Sequence, residues 1–82
     1  MTYTIYSKNG CPFCEEIKLL FDLEEIKYVE YLLDRDFNKE QFYDEFGDGT
    51  TFPRIVDSTG MILGGAKDTI RYLQENNLCC NV

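Results

Sequence analysis

The spacing of hydrophobic and polar residues changes several times along this chain, and each change marks an element. Tyr3 to Ser7 is a short β-branched and aromatic run, the pattern of a strand. It gives way to apolar residues at helical spacing, Ile17, Leu20 and Phe21, which predict a helix from Pro12 to about Glu25. Tyr28 to Leu33 reads as a second strand, and Lys39 to Phe46 as a short helix with Phe42, Tyr43 and Phe46 on one face. After the turn Gly47-Asp48-Gly49 the order changes. Pro53 to Val56 and Met61 to Leu63 are two strands around the turn Asp57-Ser58-Thr59-Gly60, and Ala66, Ile70 and Leu73 mark a final helix. The first half is a βαβ unit, which gives a right-handed parallel pair, and the hairpin gives an antiparallel pair. The expected architecture is an α/β fold, β-α-β-α-β-β-α, with three helices on the faces of a four-stranded mixed sheet. It forms one domain over residues 1–82.

Composition supports a packed domain. A chain of 82 residues buries only about 60% of its unfolded surface, yet 44% hydrophobic content and twelve Phe and Tyr residues suffice for a core. Four cysteines are too few for a disulfide scaffold of this length. The opening residues lack a basic and then apolar leader pattern, and no run approaches the roughly 18 apolar residues of a membrane span. The expectation is a cytoplasmic chain whose thiols stay reduced, without membrane attachment. Eight basic against fifteen acidic residues leave a net charge of −7, which repels phosphate backbones and argues against nucleic acid. The acidic clusters Glu24 to Asp36 and Glu40 to Asp48 read as solvated faces. Against that background any basic residue near the chemistry is informative, and Lys8 is one.

The chemistry lies at Cys11-Pro12-Phe13-Cys14, where strand gives way to helix. Pro12 suits the first helical position, which makes Cys11 the cap residue and puts Cys14 in the first turn. The sulfur of Cys11 then faces unpaired backbone N–H groups and the positive end of the helix dipole, which favour thiolate. An ordinary thiol near pKa 8.5 is only about 3% ionised at pH 7, so such a bias turns a cysteine into a nucleophile. A structural disulfide and half of a zinc site are the competing readings. Closing a loop of about four residues stabilises by only roughly 2 kcal/mol. A zinc site needs four ligands, and this chain has no His and only Cys79 and Cys80 to complete the set. Redox chemistry is the favoured reading, with no metal site.

In addition to these four residues, Tyr6-Ser7-Lys8, Thr51-Phe52-Pro53, and Gly64-Gly65 with Asp68 follow in order. Taken together, these motifs make the sequence resemble a glutaredoxin, a small member of the thioredoxin-fold family, over essentially its whole length. Phe13 stands where that family usually has Tyr, and Phe52 where it usually has Val. The resemblance implies a thiol–disulfide oxidoreductase with Cys11 as nucleophile and Cys14 as resolving thiol, and with glutathione as co-substrate rather than a tightly held cofactor. It implies a cis Pro53 opposite the cysteines, with the backbone of Phe52 free to pair with an extended thiol. For residues that simply open an edge strand, a proline is also ordinary. The γ-glutamyl end of glutathione would meet Gly65, the backbone N–H groups of Ala66 and Lys67, and the carboxylate of Asp68. The Lys67 side chain would either touch that carboxylate end or remain solvated. Phe13 and Thr51 would flank the tripeptide, and Lys8 and Lys39 would receive its glycyl carboxylate.

By the same resemblance, the partners are disulfide-containing or glutathionylated proteins, ribonucleotide reductase among them, and the chain is a monomer. Two further activities belong to this fold. Electron transfer from thioredoxin reductase usually goes with a Trp-containing carboxy-terminal motif, and this chain has no Trp. Holding a 2Fe–2S cluster between two glutaredoxins is best known where Gly or Ser replaces the residue at Pro12. Cys79 and Cys80 are expected to be passive thiols, because adjacent cysteines pair only in a strained ring and no Lys or Arg lies nearer in sequence than Arg71.

Overall fold

A computed structural model describes residues 2–78. In chain order the elements are β1 (Tyr3–Ser7), α1 (Pro12–Leu23), β2 (Tyr28–Leu32), α2 (Lys39–Phe46), β3 (Arg54–Val56), β4 (Ile62–Gly64) and α3 (Ala66–Glu75). The four strands form one mixed sheet in the order β2-β1-β3-β4. β1 runs parallel to β2, with Tyr3 opposite Tyr28 and Ser7 opposite Leu32, and antiparallel to β3, with Ile5 opposite Ile55. β3 and β4 are antiparallel with an irregularity at Ile55 and Val56. This is the β-α-β-α-β-β-α arrangement around a four-stranded mixed sheet that the alternation of patterns predicts.

The period-two alternation of β1 divides the core between the two faces of the sheet. Tyr3, Ile5 and Ser7 are buried on the face covered by α1 and α3, where Ile17, Phe21, Ile55 and Leu73 are fully buried. Burying a side chain the size of Phe21 stabilises by about 2–3 kcal/mol. Tyr6 points to the opposite face, where its ring meets Phe37, Phe42 and Phe46 at 5.0 to 6.2 Å between centroids. Phe42, from the predicted apolar face of α2, is buried there. No helix among the described residues is long and apolar enough to cross a membrane.

Element ends differ from the sequence expectations by one or two residues, each for a local reason. α1 stops at Leu23, because Glu25 turns left-handed at φ 56° and the next N–H, of Ile26, returns to the carbonyl of Phe21 at 2.8 Å. α3 ends in the same way, with Asn77 at φ 56° and the N–H of Leu78 bonded to Leu73. β2 ends at Leu32, after which Leu33 makes only an isolated bridge to Phe37. Pro53 has no N–H to give a ladder, so β3 starts at Arg54. Met61 is held by the turn, its N–H on the carboxylate of Asp57 at 2.9 Å, so β4 begins at Ile62.

One acidic residue of the first cluster is not a solvated charge. Glu30 of β2 points toward α1, accepts the hydroxyl of Ser7 at 2.6 Å and pairs with Lys18 at 2.7 Å; Lys18 also reaches Glu15 at 2.9 Å. The hydrogen bonds from Lys18 and Ser7 hold the Glu30 carboxyl below its ordinary value, more than offsetting the cost of its burial. Burial works against charge on Lys18, but its bonds to Glu30 and Glu15 prevail and raise it. A depressed carboxylate stabilises fully above its ordinary value of 4.5 and loses that contribution as pH falls through its folded value. Glu30→Gln should therefore cost about 1–2 kcal/mol at pH 7. The difference from the parent should shrink as pH drops below 4.5, read by urea unfolding at a series of pH values. A difference independent of pH would contradict this account.

Candidate active site

The local geometry at the start of α1 follows from its first three residues. Cys11 has extended backbone angles, φ −107° and ψ 102°, and caps the helix, with Pro12 in the first helical position. The Cys11 sulfur accepts the backbone N–H of Cys14 at 3.2 Å, the role a Ser or Asp side chain plays in an ordinary cap. Cys11 and Cys14 are joined as a disulfide with their Cα atoms 5.2 Å apart. The two sulfurs differ in access. Cys14 is fully buried and Cys11 is 5% exposed, so Cys11 is the one an incoming disulfide can reach. When the pair is reduced, a thiolate on Cys11 has a backbone donor and a helix amino end already in place.

Two clefts meet at Thr51 and Phe52, and the first is lined by Phe13, which stands between the two cysteines in sequence. The first, of about 300 Å³, is lined by Phe13, Thr51, Phe52, Pro53, Arg54, Gly65, Ala66, Lys67 and Asp68. The Phe52–Pro53 peptide is cis, and Pro53 is buried beneath the cleft. The opposite wall is the amino end of α3, whose first-turn N–H groups have no partner within the helix. Asp68 is exposed there, and one of its oxygens accepts the N–H of Gly65 at 3.3 Å, so it caps the helix as well as facing the cleft. Gly64, at φ 112°, is the position that permits this arrangement: a Cβ there would lie 2.6 Å from the Asp68 carboxylate. The second cleft, about 440 Å³, is lined by Lys8, Leu33, Asp34, Lys39, Tyr43, Gly49, Thr50, Thr51 and Phe52.

All ten residues singled out for ligand binding thus line one or both clefts. The Lys8 ammonium lies 5.6 Å from the centre of the Phe52 ring. Two charged cleft residues went unread in the sequence. Arg54 donates from Nε to the Thr51 carbonyl at 3.2 Å and lines the first cleft, and Asp34 brings an acidic group to the second. A signal for Arg54 was present. In a strand whose Ile55 is buried, its neighbours point to the other face, and cations are scarce in this chain. Cys79 and Cys80 lie outside the described residues. Among the described residues no group of three or more His, Cys, Asp or Glu is placed to hold a metal ion.

The glutaredoxin family model matches residues 3–59, which contain the dithiol, Pro53 and the first three strands. The chain belongs to the glutaredoxin family. It is 36% identical over 77 residues to the mitochondrial glutaredoxin-2 of Pongo abelii, covering 90% of this chain and 47% of that relative, about half its length. The crystal structure of glutaredoxin 1 from Francisella tularensis complexed with cacodylate superposes with a TM-score of 0.76 at 26% identity, covering 94% of this chain and 95% of that one. A buckwheat glutaredoxin–glutathione complex matches in fold with a TM-score of 0.74 at 24% identity, over 93% of this chain and 71% of the other. Glutaredoxins are thiol–disulfide oxidoreductases, and the Cys11–Cys14 pair is the dithiol that such chemistry requires.

Proposed function

We propose that this glutaredoxin reduces protein disulfides and glutathione mixed disulfides at the expense of glutathione, using Cys11 as nucleophile and Cys14 as resolving thiol. The observation that carries the reading is the pair of clefts sharing Thr51 and Phe52, each with cationic side chains, the first lined by Phe13 of the dithiol motif. An extended tripeptide thiol with a carboxylate at each end matches that layout. Lys8 and Lys39 would take one carboxylate, and the amino end of α3 with Lys67 the other, while Asp68 would meet the amine. A fold relative, the buckwheat glutaredoxin, has been solved with glutathione, which supports the same ligand class here.

In the exchange, the Cys11 thiolate attacks one sulfur of the target disulfide, and the other sulfur leaves as a thiolate that takes a proton from water. Cys14 then loses its proton and attacks Cys11, which frees the reduced target and closes the Cys11–Cys14 disulfide. One glutathione thiolate opens that disulfide at Cys11, and a second removes the first as oxidised glutathione. Two glutathione thiols are oxidised for each disulfide reduced. With a target already bearing glutathione, attack by Cys11 on the glutathione sulfur releases the target directly, and Cys14 is not needed.

The test is glutathione-dependent reduction of a small mixed disulfide, measured for the parent and Asp68→Asn. The amide oxygen can still accept the Gly65 N–H, so the helix cap survives while the charge facing the ligand amine is lost. The KM for glutathione should rise about three- to tenfold, with kcat and thermal stability nearly unchanged. An unaltered KM would remove Asp68 from the ligand site, and absence of saturable glutathione dependence in the parent would overturn the proposed function.

A further inference from the structure

Lys8 is exposed in a protein of net charge −7, yet among the described residues it makes no ion pair and no hydrogen bond. Its ammonium instead sits 5.6 Å from the centre of the Phe52 ring, within the range in which a cation is attracted to a ring face. That ring is itself held in place. It stacks on Phe42 at 4.3 Å with an interplanar angle of 16°, and on Phe37 at 6.1 Å and 29°. Phe42 is fully buried, so the stack ties Phe52 to the rigid core under α2. The backbone of Lys8 is likewise fixed, because it follows directly on the buried Ser7 at the end of β1. Between these two anchors only the side chain of Lys8 is free to wander, and Asp34 is the acidic residue on the wall of the same cleft.

We infer that Phe52 is a positioning residue for Lys8: its ring holds the ammonium at the mouth of the second cleft, directed to an anionic end of the thiol ligand and away from Asp34. The inference rests on the glutathione reading for the identity of that ligand, but the pairing of Lys8 with Phe52 stands apart from it. A ring offers a lysine attraction without neutralising it, whereas an ion pair with Asp34 would cancel the charge the ligand needs. The ordering entropy of a long side chain is then largely met before the ligand arrives.

A double-mutant cycle on glutathione KM reads this coupling. Phe52→Leu keeps an apolar side chain but removes the ring face, and should raise KM about threefold while leaving kcat within about twofold. Phe52→Tyr, which retains a ring, should restore the parent KM. In a Lys8→Met background Phe52→Leu should change KM by less than about 1.5-fold, because the partner it positions is gone. Equal factors in the two backgrounds, or a fall in kcat in place of the rise in KM, would overturn the inference. A second measurement needs no variant to fold. In the parent's proton NMR spectrum the Lys8 ε-methylene signals should lie upfield of those of the other lysines through the Phe52 ring current; signals at the ordinary lysine position would overturn the pairing. If the parent shows no saturable glutathione dependence, the proposed function fails, and the ring-current shift alone decides between a paired and an unpaired Lys8.

Discussion

Cys11→Ser should lower the rate of thiol–disulfide exchange by about 10³-fold or more, because no other described thiol is accessible and a serine hydroxyl does not attack disulfides. Cys14→Ser should separate two activities. Removal of glutathione from proteins needs one thiol and should survive within a few-fold, while reduction of protein disulfides, which depends on a resolving thiol, should be lost. The structure gives the asymmetry its basis, since the Cys11 sulfur caps α1 and Cys11 keeps 5% exposure, whereas Cys14 is wholly buried. Assays with a glutathionylated protein and with a protein disulfide, run side by side on both variants, decide the matter. Loss of both activities in Cys14→Ser, with the fold intact, would show that the roles are wrongly assigned.

Gly64→Ala should be the most damaging single methyl group in the molecule near the site. It imposes a left-handed φ of 112° on an L side chain and drives its Cβ to 2.6 Å from the Asp68 oxygen and 2.9 Å from the Asp68 Cβ. Strain of about 1–2 kcal/mol and loss of a cap worth about 1 kcal/mol add to roughly 2–3 kcal/mol. In a domain of this size that is a fall in Tm of roughly 10–20 °C. Displacing Asp68 should also raise the KM for glutathione. Gly60→Ala is the control, because it has a left-handed φ of 94° but nothing within 4 Å of the added carbon. It should cost only about 1 kcal/mol, or roughly 4–8 °C. Thermal melts of both variants check the difference, and equal shifts would mean that the contact with Asp68 is not what matters.

The fold was legible because its signals are local. Alternation in β1, the helical spacing of Ile17, Leu20 and Phe21, and the aromatic face of Lys39–Phe46 each arise within one element. α2 matched its expected bounds because a true cap precedes it, Asn38 exchanging two hydrogen bonds with Gln41, and Gly47 follows. The end of α1 was not legible, since Glu25 adopts the left-handed conformation without the glycine that usually announces it. Glu30 was misread for a different reason. In an acidic run the sequence cannot tell which carboxylate faces inward, and Ser7 and Lys18, its partners, are 23 and 12 residues away. The dithiol is a contiguous motif and could be read directly. Asp34 reaches its cleft only because the fold brings distant segments together, and the seat of Lys8 on Phe52 joins segments 44 residues apart by the same means, whereas Arg54 of β3 follows from the alternation around Ile55.

The account depends most on the claim that the amino end of α1 makes Cys11 the reactive thiol. Iodoacetamide labelling of the reduced protein near pH 6, followed by peptide mass mapping, measures this directly. At that pH ordinary thiols are almost entirely protonated, so only a cysteine whose thiolate is stabilised by a backbone donor and a helix dipole reacts quickly. Cys11, whose sulfur accepts the Cys14 N–H at 3.2 Å, should be labelled at least about tenfold faster than Cys14, Cys79 or Cys80. Equal labelling of all four cysteines at that pH would contradict the account.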